Sequence, residues 1–218
     1  MNKKEIRKQI FAARRAADPA VLAEKSAVIC ETIMKMPAFS EADTIFVYMD
    51  CKGEVSIRPL LETAWKNGKK TAAPKVTGAG EMKYYYITSY DDLAPGYYDI
   101  PEPVTEIEAV EEDALLIVPG VAFDRNRRRC GYGQGFYDRY LSAHTQHPTV
   151  AAAFDFQITE AIPADRYDVC PQAVVTESTV YGEVIPAKEP QRQYCFMELC
   201  RKKTAELSAR LGRPLTAS

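Results

Sequence analysis

The sequence predicts an α/β protein: a three-layer α/β/α fold with a mostly parallel central sheet, plus a C-terminal helical extension. Three observations predict it. Short β-branched or aromatic runs alternate with segments of helical periodicity, the pattern of strands joined by crossover helices. The most apolar run, ALLIVP at 114–119, reads as a strand buried in the middle of the sheet. Three loops, after 44–49, after 114–119 and after 149–154, fall at the carboxyl ends of strands, where open α/β sheets bind their ligands. Two units are expected, an α/β domain over 1–185 and the helical extension over 186–218.

The elements follow in order. KKEIRKQIFAARRAA (3–17) sets Ile6, Ile10, Ala13 and Ala17 on one stripe of an amphipathic helix with a basic outer face. Asp18-Pro19 reads as an N-cap followed by proline at the first helical position. The helix it opens runs to about Met36, with Leu22, Ile29, Ile33 and Met36 inward. TIFVYM (44–49) is a buried strand. Residues 57–67 return to helix, with Trp65 against the sheet, and Gly68 stops them. KTAAPKV is a short strand ending at Pro74, and MKYYYIT (82–88) a strand with tyrosines on both faces. The Asp-, Glu- and Pro-rich stretch 89–113 reads as a surface excursion. After 114–119 come a loop, a glycine segment and a helix to about Ala143. TVAAAF (149–154) and AVVTES (173–178) are the last strong strands. Beyond Pro186, Phe196, Cys200, Leu207 and Leu211 give the extension an apolar stripe.

Composition narrows the function. Net charge is −2 over 218 residues, with 46% hydrophobic and 27% charged. A soluble globular protein is expected, without a whole-molecule basic field for nucleic acid or lipid, so any anion site must be local. No apolar run approaches the ~18 residues of a membrane span. The charged N-terminus lacks the apolar stretch of a signal peptide. The six cysteines form no C-x-x-C pair, which favours reduced thiols and a cytoplasmic location. His144 and His147 read as surface-loop residues rather than a zinc pair.

The glycine segment RCGYGQGFYDRY (129–140) carries the chemistry. Gly131, Gly133 and Gly135 allow positive φ and close backbone approach. Exposed N–H groups and a helix N-terminus near Gly135 favour an anion. Arg125, Arg127, Arg128 and Arg129 precede the segment and Arg139 follows, each able to grip phosphate with paired donors. A polyphosphate site is the expectation. Neither a P-loop nor a dinucleotide fingerprint fits the spacing. Asp138 would repel such a ligand unless a cation lies between them, and Mg²⁺ held by one or two carboxylates plus phosphates resolves the conflict. Capping of the helix is the alternative role. A second carboxylate is expected from Asp155, Asp165 or Asp168.

VPGVAFDRNRRRCGYGQGFYDRYL resembles the signature of the 5-formyltetrahydrofolate cyclo-ligase family, roughly PGxAFDxxGxRLGYGGGYYDRYL. The opening KKEIR, the block FVYMDCKGEVSIRPLLETAWKNGKKTAAPKV and the block AAAFDFQITEAIPADRYDVCPQAVVTE are similar to three further family segments, in the same order. The resemblance covers about residues 3–180. It implies ATP-dependent cyclisation of 5-formyltetrahydrofolate to 5,10-methenyltetrahydrofolate, with release of ADP and phosphate, via an iminium phosphate. It implies ATP at Lys3, Arg7, Arg129, Gly131, Tyr132, Gly133, Gln134, Gly135, Phe136 and Tyr137, and Mg²⁺ at Asp138 and Asp168. It implies folate at Tyr48, Met49 and Glu54, with Tyr137, Arg129 and Asp138 catalytic. Composition alone would make Glu54 a solvated loop residue. One face of Tyr84, Tyr85 and Tyr86 is available either to the core or to a stacked pterin. Arg127 stands where the family has glycine, Cys130 where it has leucine, Gln134 and Phe136 where it has glycine and tyrosine, and Gln172 where aspartate is common. A monomer acting on a small molecule is expected, with no membrane or nucleic-acid partner. Two rivals are a non-catalytic nucleotide- or RNA-binding regulatory protein and a phosphosugar isomerase on a similar sheet.

Overall fold

The computed structural model describes residues 1–185; the helix expected over 186–218 lies outside the described residues. Helix α1 (Lys3–Ala16) opens on Asn2, whose side chain accepts from the Lys4 and Glu5 N–H groups while Glu5 reaches back to the Asn2 N–H. Helix α2 (Pro19–Met34) has the expected Asp18 cap and Pro19. It stops short of Met36, because Pro37 disfavours helix in the residue before it and starts a separate turn, α3 (Pro37–Glu41). The buried stripe of α1 is Ile6, Ile10 and Arg14, not the expected run through Ala13 and Ala17.

There follow β1 (Thr44–Phe46), α4 (Arg58–Lys66), β2 (Lys70–Gly78), β3 (Glu81–Ile87), β4 (Leu93–Pro95), β5 (Pro101–Pro103), β6 (Leu115–Val118), β7 (Ala122–Asp124), β8 (Arg129–Cys130), α5 (Phe136–Ala143), β9 (Thr149–Ala152), β10 (Ile158–Thr159), β11 (Ala173–Val175) and β12 (Val180–Gly182). Among the described residues seven strands form one sheet, in the order β12-β11-β9-β6-β1-β2-β3. The expected central strand, β6, is the middle one, and all four of its residues are buried. The five inner strands run parallel and the two edge strands antiparallel.

Alternation along the strands builds two cores. Ile45, Leu115, Ile117, Val150 and Val175 face Ile29, Ile33, Leu60 and Leu61 of α2 and α4. Phe46, Leu116, Val118, Ala151 and Val174 face Leu141 of α5 and Phe123 of β7. The second outer layer is therefore not helical throughout. A three-stranded sheet, β10-β7-β8, shares it with α5, and Ile6 and Ile10 of α1 pack on Val121, Ala122 and Cys130. Cys130, in the family's leucine position, is a small buried core residue here.

Several expectations change. β2 does not end at Pro74 but runs through it, paired antiparallel with β3. The β1 ladder stops at Ala72, so no ladder partner requires an N–H at Pro74. The excursion 89–113 is not wholly irregular: β4 and β5 form a small hairpin. His147 is not a surface residue. It is buried, its Nδ1–H donates to the Ala114 carbonyl at 2.9 Å, and burial lowers its pKa. Trp65 packs as expected, its indole N–H donating to Thr71 Oγ1 at 2.7 Å.

Candidate active site

The carboxyl ends of the parallel strands open on a cavity of about 1220 Å³. The segment after β1 supplies Tyr48, Met49, Cys51 and Glu54, that after β6 supplies Pro119, and α1 supplies Lys3 and Arg7. Gly131–Arg139 forms one continuous wall. The loop after β9, expected at the site, does not reach it: Asp155 accepts from Ser178 Oγ at 2.8 Å instead. Asp165 and Asp168, further along, do line the cavity.

The glycine segment has the conformations its composition allows. Gly133 and Gly135 have φ of 110° and 69°, and Gly135 is the N-cap of α5. Gly131 has no positive φ; a Cβ there would lie 2.9 Å from Arg129 Nη1, so a side chain at this position would push on that guanidinium. Arg7 Nε donates to the Gly131 carbonyl at 2.7 Å, which ties α1 to the bend. Gln134 is exposed, and its carbonyl accepts from Arg139 Nη2 at 2.6 Å. Phe136 meets the Tyr97 ring edge-on, with the Arg139 guanidinium over its face.

The two expected metal ligands sit in this wall, each against a cation. Arg129 Nη2 donates to Asp138 Oδ1 at 2.6 Å. Lys3 Nζ donates to both oxygens of Asp168, at 2.8 and 2.6 Å. The anticipated clash between carboxylates and an anion site is thus answered by Arg129 and Lys3 themselves. Among the described residues no group of three or more His, Cys, Asp or Glu could hold a metal alone. Arg129 is buried, with its guanidinium 5.7 Å from the centroid of the Tyr137 ring. Burial pushes the Tyr137 phenol well up, so it is a neutral donor. Arg125, Arg127 and Arg128 do not line the cavity; they belong to the β7–β8 turn. Arg127 has a φ of 65°, which explains why glycine suits that position and why arginine there is strained.

A second cluster surrounds Glu54, which is buried, not solvated. Its Oε2 accepts from the Cys51 N–H at 3.1 Å, and its Oε1 is buried with no hydrogen-bond partner. Burial raises its pKa, against the opposing pull of Arg14 and the Cys51 N–H. Tyr132, expected among the nucleotide contacts, turns to this cluster: its hydroxyl accepts from Arg14 Nη1 at 3.0 Å. Tyr48 lines the cavity with its hydroxyl committed to the Val55 carbonyl at 2.6 Å. Of the tyrosines of β3, none lines the cavity; Tyr84 stacks on Phe46 in the core. Met82, Pro74 and Val76 of that hairpin do line it.

Sequence reasoning missed Arg14, Cys51, Tyr97 and Tyr98 at or beside the cavity. Arg14 had a signal, since it continues the i, i+4 stripe from Ile6 and Ile10. Tyr97 and Tyr98 had none: the excursion that carries them reads as surface, and the structure folds it over the cavity rim.

The model of the 5-formyltetrahydrofolate cyclo-ligase family matches residues 1–177. A 5-formyltetrahydrofolate cyclo-ligase of Escherichia coli K12 is 32% identical over 175 residues, spanning 77% of this chain and 96% of that protein. The solved structure of Aquifex aeolicus 5,10-methenyltetrahydrofolate synthetase superposes with a TM-score of 0.73 at 31% identity, covering 88% of this chain and 95% of that one. A synthetase structure from Mycoplasma pneumoniae shares the fold, with a TM-score of 0.64 at 24% identity over 81% and 99% of the two chains. A non-catalytic nucleotide- or RNA-binding role finds no support among these relatives.

Proposed function

The chain belongs to the 5-formyltetrahydrofolate cyclo-ligase family, and from that premise we propose how its residues divide the work of ATP-dependent ring closure. The observation that carries the reading is one cavity with two unlike clusters in its wall. One is glycine-rich and cationic, the other presents a buried carboxylate oxygen without a partner. A cavity of about 1220 Å³ has room for a nucleotide and a folate together.

Lys3, Arg7 and Arg129 bind the triphosphate over the bend Gly131–Gly135. Glu54 receives N–H donors of the pterin. Tyr48 and Met49 form the apolar floor beside it. The γ-phosphoryl group passes to the formyl oxygen, giving an iminium phosphate and ADP. N10 then attacks the formyl carbon and loses its proton to the departing phosphate or to water, the C–O bond breaks, and phosphate leaves. Such a transfer needs positioning and charge neutralisation more than covalent help. Arg129 meets the transferring charge, and Tyr137, neutral, donates toward the reacting oxygen.

Asp138 and Asp168 fit Mg²⁺ in one sense only. Two carboxylates already facing Arg129 and Lys3 make no cage of their own, but they suit an ion that arrives with phosphate oxygens and water. Bound there, Mg²⁺ would neutralise phosphate charge. The cytoplasm is the expected compartment and a monomer the expected state; among the described residues no helix is long and apolar enough to cross a membrane.

The test is direct. Purified protein given 5-formyltetrahydrofolate, ATP and Mg²⁺ should raise the methenyl absorbance with one ADP per turnover. No ADP release under those conditions sinks the reading.

A further inference from the structure

We infer that Arg14, on α1 and outside the cavity wall, is a positioning residue for folate: it braces Glu54 and ties that residue's segment to the glycine segment. The inference rests on the reading of Glu54 as the folate anchor.

Arg14 is a charged residue only 5% exposed, on the apolar stripe of a helix, where an ordinary helix would place an aliphatic side chain. Three contacts account for its position. Nη2 donates to the Gly120 carbonyl at 2.8 Å, just past the central strand β6. Nη1 donates to the Tyr132 hydroxyl at 3.0 Å, inside the glycine segment. Its stem packs on Gly53, where an added Cβ would lie 3.5 Å from Arg14 Cβ, and Gly53 has a φ of 71° next to Glu54. One side chain thus contacts three of the segments that form the site. Arg14 Nε and Glu54 Oε1 are both buried without a hydrogen-bond partner. A buried carboxylate is tolerated only near a compensating charge.

The other charged and titratable groups facing Glu54 do not supply that charge. They are Tyr132 from the glycine segment, Tyr137 from α5, and Tyr48 and Cys51 from its own segment. All four are neutral acids at physiological pH, with the Cys51 thiol pushed up to about 11 chiefly by burial. Lys52 lines the cavity but is exposed, with its ammonium 5.7 Å from the centroid of the Tyr132 ring, and does not share the buried environment of Glu54. Arg14 is the buried cation of the cluster. Removing it leaves Glu54 to take up a proton at higher pH, and a protonated Glu54 offers the pterin one acceptor fewer. The fork-shaped guanidinium also sets where Tyr132 stands relative to Glu54, which an ammonium cannot reproduce.

The experiment uses Arg14→Gln, Arg14→Lys and Glu54→Gln in the full chain, with two readouts. The first is the titration of the Glu54 carboxyl by carbon-13 NMR with no substrate added. The second is the dissociation constant for 5-formyltetrahydrofolate against pH, with ATP affinity as the control for folding. In Arg14→Gln the Glu54 titration moves to higher pH. Folate binding weakens about tenfold or more at neutral pH, recovers partly as pH rises, and ATP affinity stays within about twofold. Arg14→Lys keeps the titration near that of the wild type while folate binding still weakens severalfold. An unmoved Glu54 titration in Arg14→Gln overturns the inference. Should that variant fail to fold, Arg14→Lys decides: folate affinity equal to the wild type overturns it. A wild-type folate affinity in Glu54→Gln instead overturns the underlying reading of Glu54, even where the titration has moved.

Discussion

Asp138 and Glu54 line the same cavity, yet they are held in opposite ways. Asp138 has the Arg129 guanidinium at 2.6 Å, and Asp168 has the Lys3 ammonium on both oxygens. Glu54 has one backbone N–H and a buried oxygen without a hydrogen-bond partner. The first pair of acids is satisfied before any ligand arrives, so binding there is an exchange of partners. On the proposed reading the cations would turn to phosphate and the carboxylates to an ion bound with it. Glu54 has no ion pair to give up, and its Oε1 has no hydrogen-bond partner. Its free oxygen is an unmet requirement that a ligand with N–H donors removes. The comparison teaches where selectivity should lie: a region of exchangeable ion pairs tolerates any polyphosphate, whereas a buried, unpaired acceptor rejects a ligand that lacks the donor.

The strongest way to break this comparison is Asp138→Asn. Turnover should fall by about 10²–10³, the scale of removing one preorganised electrostatic group. Folate affinity should hold within about threefold, and thermal unfolding should remain cooperative. Wild-type turnover in this variant would remove Asp138 from the phosphate chemistry. Next comes Glu54→Ala. Loss of a charged hydrogen bond, worth about 1.5–3 kcal/mol, corresponds to a rise of roughly 10- to 100-fold in the KM for folate. The KM for ATP should stay within about twofold, and equal effects on both would erase the distinction between the clusters.

The third prediction sharpens the cost side. Glu54 has a pKa raised by burial. Between the unfolded and folded values the unfolded chain binds fewer protons, so stability falls as pH rises through that window and stays lower above it. Glu54→Gln should therefore raise the Tm at pH 7, by about 2–4 °C for each kcal/mol recovered, and the gain should shrink toward pH 4. A Tm difference that is the same at both pH values would mean that ionisation of Glu54 costs nothing. The smallest effect is expected outside the cavity. Arg127→Gly relieves a left-handed backbone at φ 65°, worth about 1 kcal/mol, and should raise the Tm slightly with kcat unchanged. A fall in kcat would bring Arg127 back to the phosphate site from which its position removes it.

Much of this was legible in the residues, for local reasons. The β-branched runs, the Asp18-Pro19 cap, the Gly68 stop and the central place of 115–118 all follow from pattern. So does the left-handed bend at Gly133 and Gly135, because backbone freedom and hydrophobic alternation are properties of short segments. The resemblance over 3–180 added the site residues, and Lys3, Arg7, Arg129, Asp138, Asp168 and Glu54 do line one cavity. What misled was charge counted along the chain. Arg125, Arg127, Arg128 and Arg129 are neighbours in sequence, but only Arg129 faces the cavity, since the β7–β8 turn points the others elsewhere.

By itself the sequence determined the alternating α/β order, the left-handed glycine bend and the presence of acids that need a cation beside them, because each depends on residues a few positions apart. Only the tertiary structure decided which acid meets which cation and which polar atoms lose water. It put Arg14 of the first helix beside Tyr132 and Gly120, turned Glu54 from a loop residue into a buried acceptor, and folded Tyr97 and Tyr98 over the rim. Burial and ion pairing are set by the convergence of distant segments on one cavity, and that convergence has no local sequence signal.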